Sequence, residues 1–215
     1  MSVEADYVFV GNRDFPTEIV MNLTYNPATG ANYPFTDLTR RVYQDWNNVS
    51  LAFNGMRSLH HREPGPVPAA LDAGVPCELI NDGVHVHPGA ARLLVRGAAE
   101  TVVLITDAID ATGVGDGVYA LGGQDVVVQD GQARLVSNGS LAGSTLTMDV
   151  AFRRAVREVG MSVSAASLAA SGTPARLLGL ADRCGAIAAG LDADLVHLDD
   201  DLNLTRVMTG GRWLS

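Results

Sequence analysis

From Val49 onward the chain repeats one pattern: a short apolar run that stops abruptly at polar or glycine residues. Val49–Phe53 ends at Asn54-Gly55, Cys77–Ile80 at Asn81-Asp82-Gly83, and Thr101–Thr106 at Asp107. Runs that are apolar throughout, without alternation, predict strands buried on both faces, as in a parallel sheet covered by helices. Between the second and third runs, Ala90–Glu100 (AARLLVRGAAE) reads as a helix. Strands alternating with helices, with polar residues collected at the strand ends, fit the catalytic face of a β/α barrel.

The flanking regions differ. Near the N-terminus, Tyr7–Val10 reads as a short strand and NPATGANYP as irregular loop. Phe35, Leu38, Val42, Trp46 and Val49 then recur at helical spacing, with Thr36 or Asp37 as N-cap. Downstream, Val126–Val128 and Ala133–Val136 flank Asp130-Gly131, a hairpin signature. Met148, Phe152, Ala155, Val156 and Val159 mark one helix face. Thr173-Pro174 opens another helix in the N-cap/N1 arrangement, and Gly179 closes it. The tail alternates strand and turn, Leu195–Leu198, Asp199-Asp200-Asp201, Leu202–Met208 and Gly210-Gly211, and reads as antiparallel sheet.

Composition narrows the chemistry. The 215 residues are 47% apolar and 18% charged, enough for a packed core. A net charge of −9 disfavours phosphate backbones and anionic lipid, so neither nucleic acid nor a membrane is an expected partner. All 15 basic residues are arginine, which excludes a Schiff-base lysine, a P-loop lysine and a carbamylated-lysine metal bridge. Cys77 and Cys184 form no zinc pattern or disulfide framework, so a reducing cytoplasm is the expected setting. No signal-peptide pattern opens the chain, and no apolar run approaches the ~18–20 residues of a membrane span.

Several polar positions are candidates. His60-His61-Arg62-Glu63-Pro64-Gly65 reads either as a local anion site or as a solvated basic loop. His85 and His87 form an H-x-H, which fits two metal ligands on one strand face, or one substrate histidine with a structural neighbour. Asp107, at the end of an apolar strand, either caps the next element or serves the active site. Asp110 and Asp116 are explained by turn chemistry. Ser140–Ser144 offers small residues and backbone donors ahead of a helix, as a ligand cradle or a plain entry loop.

NGMRSLHHREPG, ELINDGVHVHP, LITDAIDATGVGDGVYALGG, SNGSLAGSTLTM and CGAIAAGLDADLVHL together resemble the N-acetylglucosamine-6-phosphate deacetylase family of the metal-dependent amidohydrolase superfamily. The resemblance implies an α/β fold. Residues 49–182 would be the C-terminal half of a (β/α) TIM-type barrel and 183–215 a small β-sandwich-like segment, with 1–48 unmatched. It implies hydrolysis of the acetamide of N-acetylglucosamine 6-phosphate to glucosamine 6-phosphate and acetate. Asp107 would be the general base and acid, and a metal ligand. His85 would contact the substrate and polarise its carbonyl. Asn54, Gly55 and Arg62 would hold the phosphate, with Asp82 also at the substrate and Leu141, Ala142 and Gly143 lining the sugar pocket.

The resemblance also implies a divalent metal, zinc in the family, and a cytoplasmic homo-oligomer. The family's glutamate and two further histidine ligands have no match here: no histidine precedes His60, and Leu51 stands where the second ligand histidine falls. A metal is therefore expected to bind weakly or not at all, and turnover by the isolated chain to be small. A non-catalytic sugar-phosphate-binding or assembly subunit is the alternative, and an amidohydrolase of cyclic amides a third reading.

Overall fold

The computed structural model describes residues 52–54, 56, 59–98 and 100–214, together with the backbone of two short strands before them. Those strands, β1 (Tyr25–Asn26) and β2 (Ala31–Asn32), pair antiparallel within the segment expected to be irregular loop. The expected strand Tyr7–Val10 and the expected helix over Phe35–Val49 lie outside the described residues.

The described core is a βαβ unit. α1 (Pro66–Asp72) leads into β3 (Cys77–Ile80), then α2 (Pro88–Gly97), then β4 (Val102–Ile105). β3 and β4 pair in parallel, Cys77 opposite Val102 and Ile80 opposite Ile105. Every residue of both strands is buried, as continuous apolar runs require. Cys77, Leu79, Val102 and Leu104 pack toward α1 and α2, whereas Ile80, Val103 and Ile105 pack with Leu146 and Ala151 on the other face. The helix between the strands starts two residues earlier than its sequence suggests, because Pro88 fits the first helical turn and His87 caps it.

The Val49–Phe53 run is corrected in part. Of it, only Ala52 and Phe53 are described, and they form a turn with Asn54 instead of a strand. The Ala52 N–H still donates to the Glu78 carbonyl at 2.7 Å, which seats this turn beside β3.

After β4 comes an antiparallel meander: β5 (Gly117–Leu121), β6 (Gln124–Gln129) and β7 (Gln132–Leu135). Its inner face, Val126, Val128 and Ala133, packs on Ala111 and Ala142. The Asp116 carboxylate accepts from the N–H groups of Asp130 and Gly131, fastening the hairpin turn, which confirms its turn role.

The helical region begins with α3 (Met148–Arg154), which runs on as a π-helical turn over Ala155–Val159. After a break at residues 160–162, α4 (Val163–Ser167), a second π turn over Leu168–Gly172 and α5 (Thr173–Leu177) run into one another. Thr173 is therefore not an N-cap: Gly172 before it is already helical, and the Thr173 hydroxyl donates to the Glu100 carbonyl instead. Gly179, at φ +68, does end the run.

The tail is one antiparallel sheet of β8 (Leu195–Leu198), β9 (Leu204–Thr209) and β10 (Arg212–Trp213). The Asp199 carboxylate closes the β8–β9 turn by accepting from the N–H groups of Asp201 and Asn203. No described helix is long and apolar enough to cross a membrane.

Candidate active site

Two strand ends meet at one point. β3 ends at Ile80, and after Asn81 the loop 82–86 is built around the Asp82 carboxylate. Its Oδ1 accepts from the N–H groups of Val84 and His85, both at 2.8 Å, and its Oδ2 lies 2.7 Å from His85 Nδ1. Burial pushes the Asp82 carboxyl up, but the His85 ring and these two N–H donors outweigh it and hold the group below its ordinary value. With Nδ1 engaged, the ring turns its other nitrogen outward, and His85 Nε2 stands 3.6 Å from Asp107 Oδ2.

Asp107, two residues beyond the end of β4, sits at φ +53, a conformation uncommon for a residue with a side chain. Its carbonyl is fixed from the far side: the Ser144 N–H donates to it at 2.6 Å. The Ser144 hydroxyl donates to the Thr106 carbonyl and accepts from Leu146 N–H. Ala108 and Ser144 form a parallel bridge, so the 141–144 segment lies alongside the chain leaving β4. Gly143 fits there because a Cβ would strike Ile109 and crowd the Asp107 carbonyl. The expected cradle Leu141-Ala142-Gly143 thus borders Asp107. Two of its neighbourhood's donors are already used, however, Ser144 N–H on Asp107 and Ala142 N–H on the Ala133 carbonyl.

The remaining expectations divide. His87 has a structural role: its Nδ1 accepts from Gly89 N–H at 3.0 Å and caps α2. Asn54 is half-buried in the turn beside β3, and Gly55 lies outside the described residues. Arg62 is exposed in a tight turn closed by Glu63 N–H on the His60 carbonyl, beside the mutually tilted rings of His60 and His61. Among the described residues, no hydrogen bond or ion pair ties its guanidinium to His85 or Asp107.

Three contributors escaped sequence reading. Glu78 is buried within β3, and its charge, after burial itself, helps push the Cys77 thiol up to about 11. An acid inside the apolar run CELI was the available signal. Ser144 was seen only as part of a small-residue loop. Arg154, on α3, lies against Gly83 across a sequence separation that no local pattern encodes.

The amidohydrolase family model matches residues 56–214. The chain belongs to the amidohydrolase family.

This amidohydrolase is 44% identical to N-acetylgalactosamine-6-phosphate deacetylase of Escherichia coli O157:H7, over 76% of its own length and 43% of the relative. It is 41% identical to N-acetylglucosamine-6-phosphate deacetylase of Bacillus subtilis, over 77% of itself and 42% of the relative. A variant of the Mycobacterium smegmatis enzyme solved in complex with N-acetyl-D-glucosamine-6-phosphate is 42% identical and superposes with a TM-score of 0.73. That match covers 82% of this chain and 47% of that one. The chain thus spans less than half the length of these relatives, although it covers 98% of a 44% identical relative from Escherichia coli K12. The motif resemblance to N-acetylglucosamine-6-phosphate deacetylases is borne out.

The family implies a divalent metal. Among the described residues no cluster of three or more His, Cys, Asp or Glu is placed to hold one. Asp107 and His85 offer two donors, and Asp82 is committed to His85. This donor set does not by itself fit a metal site.

Proposed function

We propose that this amidohydrolase carries the substrate-holding and proton-transferring part of a site that deacetylates N-acetylhexosamine 6-phosphates. The observation that carries the reading is the chain of contacts Asp82–His85–Asp107 across two parallel strand ends, on the residues that match the family's motifs. In this reading Asp107 takes a proton from the attacking water as it adds to the acetamide carbonyl. It returns that proton to the nitrogen as the C–N bond breaks, releasing acetate and the amino sugar. His85, held by Asp82, donates from Nε2 to the carbonyl oxygen when its ring is protonated, and so stabilises the oxyanion. Leu141, Ala142 and Gly143 line the sugar pocket, and Arg62 with Asn54 and Gly55 binds the phosphate, for which a planar guanidinium is suited.

The same reading assigns the family metal to zinc and treats β3–α2–β4 as barrel units followed by a separate C-terminal β segment. It places a homo-oligomer in the cytoplasm. Relatives named for both the galacto and the gluco sugar leave the C4 configuration open.

The test is acetate release from N-acetylglucosamine and N-acetylgalactosamine 6-phosphates, with and without zinc. Slow release that Asp107→Asn abolishes supports the reading. Release that is unaffected by Asp107→Asn overturns it. The incomplete donor set favours a second reading, a non-catalytic sugar-phosphate-binding subunit. Saturable binding with no release under zinc selects that one.

A further inference from the structure

We infer that Arg154 is the positioning residue for His85, acting through Gly83. The inference rests on the role proposed for His85. Gly83 lies inside the Asp82–His85 loop at φ +78, and a Cβ built on it would fall within the radius of Arg154 Nη2, with Cζ 3.0 Å away. The guanidinium therefore lies against the Gly83 α-carbon, in the space a side chain there would take. Arg154 is itself held: Nη2 pairs with Glu158 Oε2 at 2.7 Å, one helical turn on, where the chain has become π-helical. Its Nε is buried without a hydrogen-bond partner, so packing and the Glu158 pair, not a hydrogen bond at Nε, hold it over the loop.

The surrounding contacts make this segment a backstop. Asn81 Nδ2 donates to the Ala151 carbonyl at 3.0 Å, and Arg92 Nη1 donates to the Glu158 carbonyl at 2.8 Å. The end of β3, the 82–85 loop and the start of α2 are thus all referenced to residues 151–158. The chain entering α3 is the same 141–144 segment that fixes the Asp107 carbonyl. One helix therefore sets the spacing between the two reacting side chains, and Arg154 is its contact on the His85 side.

The experiment is 15N NMR of the His85 imidazole in the full chain, assigned with His85→Ala, in Arg154→Met, Arg154→Lys and Glu158→Gln variants. In the wild-type protein the Nδ1 proton on Asp82 is expected to be protected from exchange. In Arg154→Met its exchange quickens by about tenfold as the loop opens locally, and Arg154→Lys recovers part of the protection. Wild-type protection that is absent, or unchanged in Arg154→Met, overturns the inference. If Arg154→Met does not fold, Glu158→Gln decides: faster exchange supports the inference and unchanged exchange overturns it. Titration of glucosamine 6-phosphate into the same samples separates the two proposals, since a folded chain that shows no shifts rejects the sugar-phosphate reading and leaves the Arg154 result standing.

Discussion

His85 Nε2 lies 3.6 Å from Asp107 Oδ2, although the two residues leave different strands and are tied back by different partners, Asp82 for one and Ser144 for the other. Two carboxylates facing the two nitrogens of one ring hold its plane. In the proposed function this arrangement delivers a proton in a fixed direction, as breakage of an amide requires at its oxygen and its nitrogen.

Removing the Ser144 hydroxyl tests the Asp107 side. Ser144→Ala leaves the Leu146 N–H and the Thr106 carbonyl without their partner in a buried setting. The expected loss is about 1–3 kcal/mol of stability, read from urea unfolding. Val118→Ala, on the exposed face of β5, is expected to change stability by less than ~0.5 kcal/mol in the same assay.

Acid stability tests the His85 side. The folded Asp82 carboxyl titrates below its unfolded value, so its contribution is complete above about pH 4 and is lost as pH falls through the lower folded value. Asp82→Asn removes this contribution. The unfolding midpoint of the variant is expected to depend less steeply on pH in the acid range than that of the wild type. Identical slopes would show that the Asp82–His85 pair is not formed in solution.

The two thiols report on the β3–β4 core. Cys77 is fully buried, and burial with the Glu78 charge raises its thiol to about 11. Cys184 is partly exposed and its thiol is raised chiefly by desolvation. Alkylation near pH 8 is expected to modify Cys184 slowly in the folded chain and Cys77 only after denaturant is added, because the thiolate is the reactive form. Mass spectrometry of the alkylated peptides checks the order.

Much of this was legible in the sequence. Unbroken apolar runs gave β3 and β4, and Asp130-Gly131 gave the β6–β7 turn. A polar residue at a strand tip singled out Asp107. β5 was hidden because Gly113, Gly115 and Gly117 make its approach look like loop, and its alternation becomes clear only when Tyr119 pairs with Val126. On local pattern alone, without the family resemblance, the choice between His85 and His87 stayed open for a physical reason. Both follow a turn and precede Pro88, and only the folded chain shows that one ring caps α2 while the other faces Asp107. Arg154 was illegible because its partner, Gly83, offers no side chain to match.

In the proposed function, phosphate recognition rests on a different segment from proton transfer. Arg62 is exposed and makes no ion pair among the described residues, so Arg62→Ala is expected to leave the unfolding midpoint unchanged. The same change is expected to weaken binding of glucosamine 6-phosphate roughly tenfold or more, the loss of about 1.5–3 kcal/mol typical of a charge-assisted hydrogen bond. Glucosamine without phosphate should bind wild type and variant alike.

The most direct measurement is calorimetric titration of N-acetylglucosamine 6-phosphate into the folded chain and into its His85→Ala and Arg62→Ala variants. One saturable isotherm is expected for the wild type, weakened by both substitutions, because the proposed function puts both residues at the same bound molecule. A folded wild-type chain that gives no binding heat, or an isotherm that neither substitution alters, would contradict it.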